Sequence, residues 1–379
     1  MIVLTDDQRM IADAARRFAR EVLAPGAALR EQRAAIEPEV FRQMADMGLL
    51  GMTVSTDYDG AGADYVSYAL ALMAVAEGDG AISTVMSVHN APFCAILERY
   101  GSEAQKHSVL KPAARGEFIG AFALTESQAG SDASALRTRA QRHRGGWRID
   151  GSKQFITSGR IAGYAVVFAV TDAANPKRGI SAFLVPTDTP GYHVTKIEHK
   201  TGQKASDTCS LAFDAMELPP EALIGAEGEG YRIALSSLEA GRIGIASQSV
   251  GMAQAALDHA IAYAAQRSSF GKPLLDHQAV NFRLVEAKTQ LEAARQLVLS
   301  AARLKDAGQP CLEQACMAKL FASETAESVC SIAIQTFGGY GYLQDFPVER
   351  IWRDARVCQI YEGTSDIQKI IIGRGLAAA

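Results

Sequence analysis

The stretch VNFRLVEAKTQLEAARQLVLSA, residues 280–301, decides the fold of the last third of this chain. Its apolar residues recur in alternating steps of four and three, at Val280, Leu284, Ala287, Leu291, Ala294, Val298 and Ala301. That spacing is typical of a long helix in a bundle or coiled coil. Similar patterns cover 231–265 and 312–335. We therefore predict a bundle of long, alanine-rich helices, which often form the cores of oligomers.

The first section of the chain also has the periodicity of helices. Its first helix begins with a capping box in Thr5-Asp6-Asp7-Gln8 and is predicted to end at Pro25-Gly26. Further helices are predicted at 37–47, 65–77 and 82–100.

Between about residues 120 and 230 the pattern changes to short β-branched and aromatic runs. These runs cover 147–149, 164–170, 180–185, 192–197 and 208–213, with turns such as Arg144-Gly145-Gly146 and Asn175-Pro176 between them. Strands at this spacing without intervening helices favour a small antiparallel barrel or sandwich. The order of helices, strands and helices predicts an α+β fold with domains at 1–120, 121–230 and 231–379 and a cleft between them.

Composition and charge exclude several classes of protein. The chain has 379 residues, 48% of them hydrophobic, a net charge of −4 and a pI near 6.0, which gives no sign of a nucleic-acid partner. Its six cysteines are scattered, with no CxxC pair and no histidine at metal-ligand spacing. The N-terminus MIVLTDDQRM is unlike a signal peptide, and no apolar run has membrane-spanning length. We expect a cytoplasmic protein with buried thiols, no metal and no membrane span.

The strong catalytic signatures are missing from the sequence. It contains no GxxxxGK[ST], no HExxH and no GxSxG, and its glycine clusters at 225–230 and 338–341 do not lie in a βαβ unit. Phosphate-loop, zinc-hydrolase, serine-hydrolase and Rossmann chemistry are therefore poorly supported.

Four small-polar or glycine-rich segments remain as candidates, at 122–132, 153–159, 267–272 and 335–341. The hydroxyls of Thr125 and Ser131 could donate hydrogen bonds to carbonyls or phosphates, and Arg267 suits a pyrophosphate. Each segment alone is better explained by an ordinary capped turn, strand end or helix end.

A fifth segment, QIYEGTSDIQ at 359–368, contains the single carboxylate Glu362 before a turn. Its local pattern predicts a helix that ends at Tyr361 or Glu362, a turn at Gly363 and a new helix capped by Thr364 or Ser365. That pattern explains the glycine and the hydroxyls, but it gives no reason for the acid.

Taken in order, these segments resemble the acyl-CoA dehydrogenase family. The matching stretches are ALTESQAGSD (123–132), GSKQFITSG (151–159), GISAFLVPTDTPG (179–191), AGRIGIASQSVGMAQAALD (240–258), QRSSFGKPL (266–274), QTFGGYGY (335–342) and RDARVCQIYEGTSDIQ (353–368). They span nearly the whole chain, and the C-terminal half is most similar to the short-chain (butyryl-CoA) and short branched-chain members.

The resemblance implies an N-terminal helical domain, a middle β-barrel, a C-terminal four-helix bundle, and a homotetramer with FAD between barrel and bundle. The implied contacts of the flavin ring are Phe122, Ala123, Leu124, Thr125, Phe155, Ile156 and Thr157. The diphosphate and adenine would meet Arg267, Phe270 and Gln278. A neighbouring subunit would supply Gln335, Thr336, Phe337, Gly338 and Gly339, while Thr364 and Asp366 would close the site. Ser131 would lie at both cofactor and substrate, and the segment from Glu239 to Arg242 would meet the CoA thioester.

For the reaction, the resemblance implies that Glu362 removes the pro-R α-proton of an acyl-CoA while a β-hydride passes to flavin N5, giving a trans-2-enoyl-CoA. The enolate oxygen would be held by the backbone N–H of Glu362 and a ribityl hydroxyl of FAD. Gly363 would let the thioester approach, and exclusion of water by the acyl chain would raise the pKa of Glu362 toward neutrality. Some relatives carry the base on the AGRIG helix, where this chain has Gly241, with Glu239 two residues away as the alternative base.

Three departures from the family pattern stand out. Ser127-Gln128 replaces Pro-Gly, so we expect a looser loop; Phe155 replaces tryptophan; and Asp366 replaces glutamate or glutamine. The acyl chain stays open between straight four-carbon, branched and longer groups, with residues 87–93 as candidate lining and His89 more readily explained as a buried, satisfied histidine. Electron-transfer flavoprotein is the implied electron acceptor. The alternatives are a flavoprotein oxidase or monooxygenase, or a non-catalytic flavin-binding regulatory protein.

Overall fold

The structure, a computed structural model, describes residues 3–175 and 177–376. The first two residues, Pro176 of the predicted Asn175-Pro176 turn and the three C-terminal alanines lie outside the described residues.

Helices build the first part of the chain. Their bounds are α1 Asp6–Phe18, α2 Ala24–Arg33, α3 Pro38–Asp46, α4 Tyr65–Gly78, α5 Gly80–Val88, α6 Ala95–Tyr100, α7 Glu103–Gln105 and α8 Lys111–Ala114. The predicted capping box of α1 is confirmed: Gln8 N–H donates to Thr5 Oγ1 at 3.2 Å, and Thr5 N–H donates to Gln8 Oε1 at 3.0 Å. The apolar α4 and α5 are buried along almost their whole length.

The predicted helix end at Pro25-Gly26 was wrong. A π turn at Ala19–Leu23 joins α1 to α2, and Pro25 lies in the first turn of α2. A proline is tolerated there because its missing N–H is not needed for an intrahelical bond. A second π turn, His89–Cys94, contains Pro92 and joins α5 to α6 within the predicted helix at 82–100.

One mixed sheet forms the middle of the chain. Its strands are β1 Ile119–Ala123, β2 Arg139–His143, β3 Gly146–Thr157, β4 Ala162–Val170, β5 Ile180–Pro186, β6 Tyr192–Ile197, β7 Thr208–Leu218 and β8 Leu223–Ile224. The order is β6-β7-β3-β2-β4-β5-β8, with β1 also paired to β4. The five predicted strands are all present, but the prediction of a wholly antiparallel sheet was wrong, because β1 and β2 pair with β4 in parallel. Strand β1 ends beside Val167 of β4 and β2 begins beside Val170, so the loop between them leaves and rejoins the sheet at the same end of β4.

Long helices follow the sheet, as predicted. Their bounds are α9 Gly230–Gln266, α10 Gln278–Asp306, α11 Leu312–Phe337, α12 Pro347–Arg356 and α13 Ser365–Leu376, with a short ribbon of β9 Ser268–Ser269 and β10 Lys272–Pro273 after α9. The apolar stripe of α10 is buried from Leu284 to Ala301, and Val280 packs against the same core. The α+β order of helices, sheet and helices is thereby confirmed.

Helix α9 is the element that brings the separate parts of the chain together. It packs against α4 and α5 from the first section and against α10, α11 and α12 from the last. Residues 240–253 of α9 are buried without interruption. A side chain placed against this part of α9 is therefore removed from solvent.

The six cysteines are all free and buried. This confirms the expectation that they serve as buried thiols rather than as a disulfide framework.

Candidate active site

Glu362 lies in a strained connection between the end of α12 and the start of α13. It has φ = 51° and the following Gly363 has φ = 87°. Both values fall in the left-handed region, which is uncommon for a residue with a side chain and is found where the surrounding structure enforces it, often at functional sites. Glycine at 363 removes the strain from the second position, whereas Glu362 has to bear it.

The ends of the flanking helices differ in part from the prediction. Helix α12 ends at Arg356 and a 3₁₀ turn continues to Gln359, so the predicted end at Tyr361 or Glu362 was wrong. The predicted start of the next helix is confirmed, because Ile367 N–H donates to Thr364 Oγ1 at 3.3 Å.

The carboxylate of Glu362 faces Gly241 of α9. Its Oε2 atom is inaccessible to solvent and has no hydrogen-bond partner among the described residues, although the residue as a whole is only half-buried. A β-carbon added at Gly241 would overlap Oε2. The absence of a side chain at Gly241 is therefore what leaves room for the acid. Gly241, the position that the family resemblance gives as an alternative location of the base, and Glu362 therefore face the same point.

Burial perturbs the pKa of this carboxyl. Loss of solvent around Glu362 raises its pKa to about 7, and the charges of Lys319 and Arg242 oppose the rise. The family resemblance implies that an acyl chain raises this pKa by excluding water, but burial by the protein itself already raises it. A pKa near neutrality suits a general base, which must be ionised before reaction and able to hold a proton afterwards.

The structure separates the two charged residues of the segment from Glu239 to Arg242. Arg242 is buried, acts on the pKa of Glu362, and has an Nε–H without a hydrogen-bond partner in the described part of the chain. Glu239 instead pairs with Lys305 of α10 at 3.2 Å. Of the two, Arg242 is the one that lies beside the candidate base.

Two buried hydroxyl groups, those of Tyr68 and Ser87, lie against Gly244, which is about one helical turn beyond Gly241 on α9. A β-carbon added at Gly244 would lie 2.6 Å from Ser87 Oγ, 3.2 Å from Tyr68 Oη and 3.6 Å from Leu72 Cδ2. Tyr68 and Ser87 face each other, yet neither hydroxyl forms a hydrogen bond of normal geometry with a described residue. Polar, tightly packed side chains from α4 and α5 thus close the space next to Glu362.

His89, which the sequence placed near the acyl pocket, is a structural residue. Its Nδ1 accepts a hydrogen bond from Gly120 N–H at 3.0 Å, and its Nε2 pairs with the carbonyl of Ala113 at 3.0 Å. Burial lowers its pKa to about 4, so it stays neutral. The neighbouring Asn90 is likewise satisfied by backbone groups of Leu49, Met52 and Met86.

The two segments expected at the flavin ring lie side by side on the sheet. Gln154 N–H donates to the carbonyl of Thr125 at 2.8 Å, which joins the loop after β1 to β3. The pairing of β3 with β7 shifts register between Lys153 and Ile156, and Phe155 in this bulge has φ = 59° and a side chain that is 62% exposed. The bulge turns an aromatic ring outward at the end of the strand. Thr157 is half-buried at the last position of β3.

A buried ion pair, which the sequence analysis missed, holds these two segments together. Lys153 Nζ lies 2.8 Å from Glu126 Oε1 and donates to the carbonyl of Leu124 at 3.0 Å. Both side chains are almost completely buried. Burial raises the pKa of Glu126, but Lys153 and the hydrogen bonds outweigh it and hold that pKa at about 2. Glu126 is therefore ionised at all ordinary pH values.

The loop with Ser127-Gln128 is anchored rather than loose. Gln128 Nε2 donates to Glu126 Oε2 at 2.7 Å, and the backbone N–H groups of Arg137 and Thr138 donate to the same carboxylate at 2.7 and 3.0 Å. The expectation of a looser loop was wrong, because Gln128 replaces the rigidity of Pro-Gly with a side-chain hydrogen bond. Ser131 is exposed on this loop.

A cleft of about 570 Å³ lies among the C-terminal helices, at the start of the α9–α10 ribbon. Its lining residues all lie between 263 and 343, and they are Tyr263, Arg267, Ser269, Leu274, Val280, Arg283, Gln335, Thr336, Phe337, Gly338, Gly339, Tyr340 and Leu343. The structure therefore brings Arg267 together with the whole Gln335–Gly339 segment in one chain. It also adds Arg283, which the sequence analysis missed because it lies on a helix face without a motif.

The remaining predicted cofactor residues lie outside that cleft. Phe270 is 96% exposed at the tip of the ribbon, and Gln278 is exposed at the start of α10. Thr364 caps α13, and Asp366 is exposed in its first turn. Throughout the described residues, no group of three or more metal-ligating side chains comes together.

Three family models match the chain in succession. The acyl-CoA dehydrogenase N-terminal domain matches residues 5–117, the middle domain 121–216 and the C-terminal domain 228–377.

Individual relatives match over the full length. The chain is 44% identical to an acyl-CoA dehydrogenase of Bacillus subtilis over 373 residues, 98% of each chain. It superposes on butyryl-CoA dehydrogenase from Megasphaera elsdenii with a TM-score of 0.97 at 39% identity and full coverage of both chains. A chain of an Acidaminococcus fermentans structure described as an electron transferring flavoprotein gives a TM-score of 0.98 at 41% identity, again with full coverage of both chains.

The buried ion pair leads to a prediction about stability. Lys153→Met should lower the free energy of unfolding by about 3–5 kcal/mol, because it leaves the buried Glu126 carboxylate without its cation. The measurement is equilibrium unfolding in urea. Lys196→Met removes a lysine that is 61% exposed and paired on the same sheet, and should change stability by less than about 0.5 kcal/mol. Equal effects of the two substitutions would contradict the role of the buried pair.

Proposed function

We propose that this chain, which belongs to the acyl-CoA dehydrogenase family, oxidises a short-chain acyl-CoA between its α and β carbons and uses Glu362 as the catalytic base. One observation carries the proposal most directly. A buried carboxyl with a pKa of about 7 and an oxygen that has no hydrogen-bond partner among the described residues faces a glycine that leaves space in front of it.

The residues present fit FAD at two separate places. In the sheet, the hydroxyls of Thr125 and Thr157 and the exposed ring of Phe155 suit a flat polar ring. In the C-terminal cleft, Arg267 and Arg283 suit a diphosphate, and the Gln335–Gly339 segment allows close backbone approach. When bound, FAD supplies the acceptor for the hydride that leaves the β carbon.

We also propose that the two places belong to different copies of the chain. Among the described residues, only those from 263 to 343 line the cleft, so no described part of the mixed sheet contributes to it. Large apolar side chains stay exposed on and near the same helices: Phe282 is 59% exposed and Tyr342 is 87% exposed. A second copy that covers these side chains would place its cleft at the sheet of the first. Arg267 and Gln335–Gly339 would then act together across the interface, in a homo-oligomer that we take to be a tetramer.

In the proposed reaction, Glu362 removes the α-proton of the thioester. Its carboxylate is poised for this because burial has already lifted its pKa to the range in which it can hold the proton at neutral pH. The backbone N–H of Glu362 donates to the thioester carbonyl, where negative charge develops. The proton ends on Glu362, a hydride leaves the β carbon, and the product is the trans-2-enoyl-CoA.

The packing around Gly244 supports a short acyl group. Tyr68, Leu72 and Ser87 are fully buried and crowd the face of α9 one turn beyond Gly241. A turn of helix advances about 5.4 Å, which leaves room for only a few carbons between the base and these side chains. The similarity to butyryl-CoA dehydrogenase supports the same conclusion.

Electron-transfer flavoprotein is the acceptor that we propose for the reduced cofactor, supported by the similarity to the Acidaminococcus chain. We propose a cytoplasmic location. The expectation that no apolar run has membrane-spanning length was wrong: among the described residues, one helical run, Gly80–Tyr100, is long and apolar enough to cross a membrane, and 89% of its most apolar window is buried inside the protein. Such a run serves as a core helix.

The proposed base is tested by Glu362→Gln. The variant should retain FAD and bind butyryl-CoA, but the rate of flavin bleaching should fall by about 10²- to 10⁴-fold, because the amide cannot accept the proton. Anaerobic stopped-flow absorbance measures this rate. Glu239→Gln, which removes the alternative base, should keep most of the rate. If Glu362→Gln bleached at a near-normal rate, or if only Glu239→Gln lost bleaching, Glu362 would not be the base.

The space at Gly241 is tested by Gly241→Ala. Alanine is the better helix former, so the free energy of unfolding should stay constant or rise by up to about 1 kcal/mol. The added methyl group would displace the carboxylate of Glu362, and the bleaching rate should fall by about 10- to 100-fold. Gly373→Ala on α13 is the matched control, because a β-carbon there meets nothing within 4 Å. Full activity in Gly241→Ala would show that the carboxylate does not act from this position.

The cofactor cleft is tested by Arg267→Ala. The purified variant should contain at most about a tenth of the wild-type flavin per chain, because a charge-assisted contact to the diphosphate is lost. The ratio of flavin to protein absorbance measures the occupancy, and light scattering reports the oligomer. Arg33→Ala, at a side chain that is 60% exposed in the first section, should leave occupancy unchanged. Wild-type occupancy in Arg267→Ala would remove the cofactor from this cleft.

A further inference from the structure

Lys319 of α11 is a buried lysine that neither the sequence motifs nor the proposed reaction uses. Its side chain has no exposed surface, and Nζ donates to the carbonyl of Gly363 at 2.7 Å. Lysine is seldom buried unless it is paired. In the described part of the chain, no carboxylate lies within 4 Å of this nitrogen. Because the ammonium group of Lys319 binds a neutral carbonyl, ordinary ion pairing does not explain why this lysine is buried.

The carbonyl that Lys319 binds belongs to the left-handed turn of the candidate base. Gly363, with φ = 87°, follows Glu362 directly, and its carbonyl also accepts a hydrogen bond from Gln368 Nε2 at 2.8 Å. Gln368 is buried in α13. Donors from two helices thus converge on one carbonyl. They fix the backbone of a turn that would otherwise relax toward the right-handed region favoured by Glu362.

The charge of Lys319 also acts on the carboxylate itself. The groups that face Glu362 are Lys319 of α11, Arg242 of α9 and the hydroxyl of Tyr68 of α4. Only the first two are cations. Each stabilises the ionised carboxylate in a place where burial favours the neutral acid.

Lys319 has its own set of neighbours. They are Cys358, Glu362, Arg242 and Cys316, and Cys316 in turn faces Glu239 and Glu313. Burial lowers the pKa of Lys319 to about 8, so the ammonium form still predominates at neutral pH. Glu362 is the one carboxylate among the four groups whose charge acts on Lys319.

We propose that Lys319 is the positioning residue of Glu362: its ammonium group fixes the left-handed turn through Gly363, and its charge favours the ionised form of the carboxylate, which accepts the proton. The proposal rests on the proposed role of Glu362 as the base. Without the lysine, a larger fraction of Glu362 would be protonated at neutral pH and its backbone would be free to relax.

The test compares Lys319→Met, which removes donor and charge, with Lys319→Gln, which keeps an N–H donor but no charge. Lys369→Gln is the control, because Lys369 is 57% exposed on α13 and is not among the charges that act on Glu362. The first readout is the carboxyl stretching band of protonated Glu362 in infrared spectra of the holoprotein, identified by its loss in Glu362→Gln. Titration of this band gives the pKa of Glu362 whether or not the protein is active.

In both Lys319 variants the pKa of Glu362 should rise by about one unit or more, and in Lys369→Gln it should stay unchanged. The second readout is the pH profile of flavin bleaching. A one-unit rise should lower the rate at pH 7 about five-fold, with recovery near pH 9, because more of the carboxyl is then ionised. Lys319→Gln should show the same shift of the pH profile. At high pH its bleaching rate should fall less than that of Lys319→Met, because glutamine retains an N–H donor.

Two outcomes would overturn the proposal. One is a pKa of Glu362 that does not move in Lys319→Gln; the other is a loss of rate that is equal at every pH, which a merely structural lysine would give. If Lys319→Met does not fold, Lys319→Gln decides the question alone. A shifted infrared titration in a protein that no thioester bleaches would support the coupling of Lys319 to Glu362 and count against the proposed reaction.

Discussion

Burying a carboxyl oxygen that has no hydrogen-bond partner costs free energy, and the residues around Glu362 are arranged so that the structure tolerates this cost. The acid lies on a left-handed residue, a conformation that persists only where neighbours enforce it. The bare face of α9 at Gly241 leaves room for its oxygen. Arg242 and Lys319 limit the rise of its pKa to about 7. A carboxyl so held is a poor structural element, and its pKa suits the general base that we propose it to be.

A buried lysine that binds a backbone carbonyl also occurs in the sheet, at the segments proposed to hold the flavin ring. Lys153 is buried against Glu126 and the carbonyl of Leu124, as Lys319 is buried against the carbonyl of Gly363. In both places an ammonium group from a regular element holds the backbone of an irregular one. Rigid helices and strands thereby position loops that carry the chemistry, which is how a site keeps its geometry when the loop itself has little packing.

Much of the fold could be predicted because the signals are local. The stripe that starts at Val280 gives α10 from its spacing alone, and the order of helices, strands and helices follows from similar patterns. The parallel pairing of β1 with β4 could not be predicted, because it depends on the path of a connecting loop. Glu362 was found through its motif, but its contact with Gly241 joins distant parts of the chain. Lys153 and Lys319 were missed because a lysine is normally exposed and nothing local marks a buried one.

The most direct measurement is the pH dependence of anaerobic flavin bleaching in the unmodified protein, with butyryl-CoA compared against isovaleryl-CoA and octanoyl-CoA. We expect butyryl-CoA to bleach the flavin fastest, at a rate that rises through a single ionisation near pH 7 as the carboxyl of Glu362 loses its proton. A rate that is flat between pH 5 and 9, or a flavin that none of the three thioesters bleaches, would contradict this expectation.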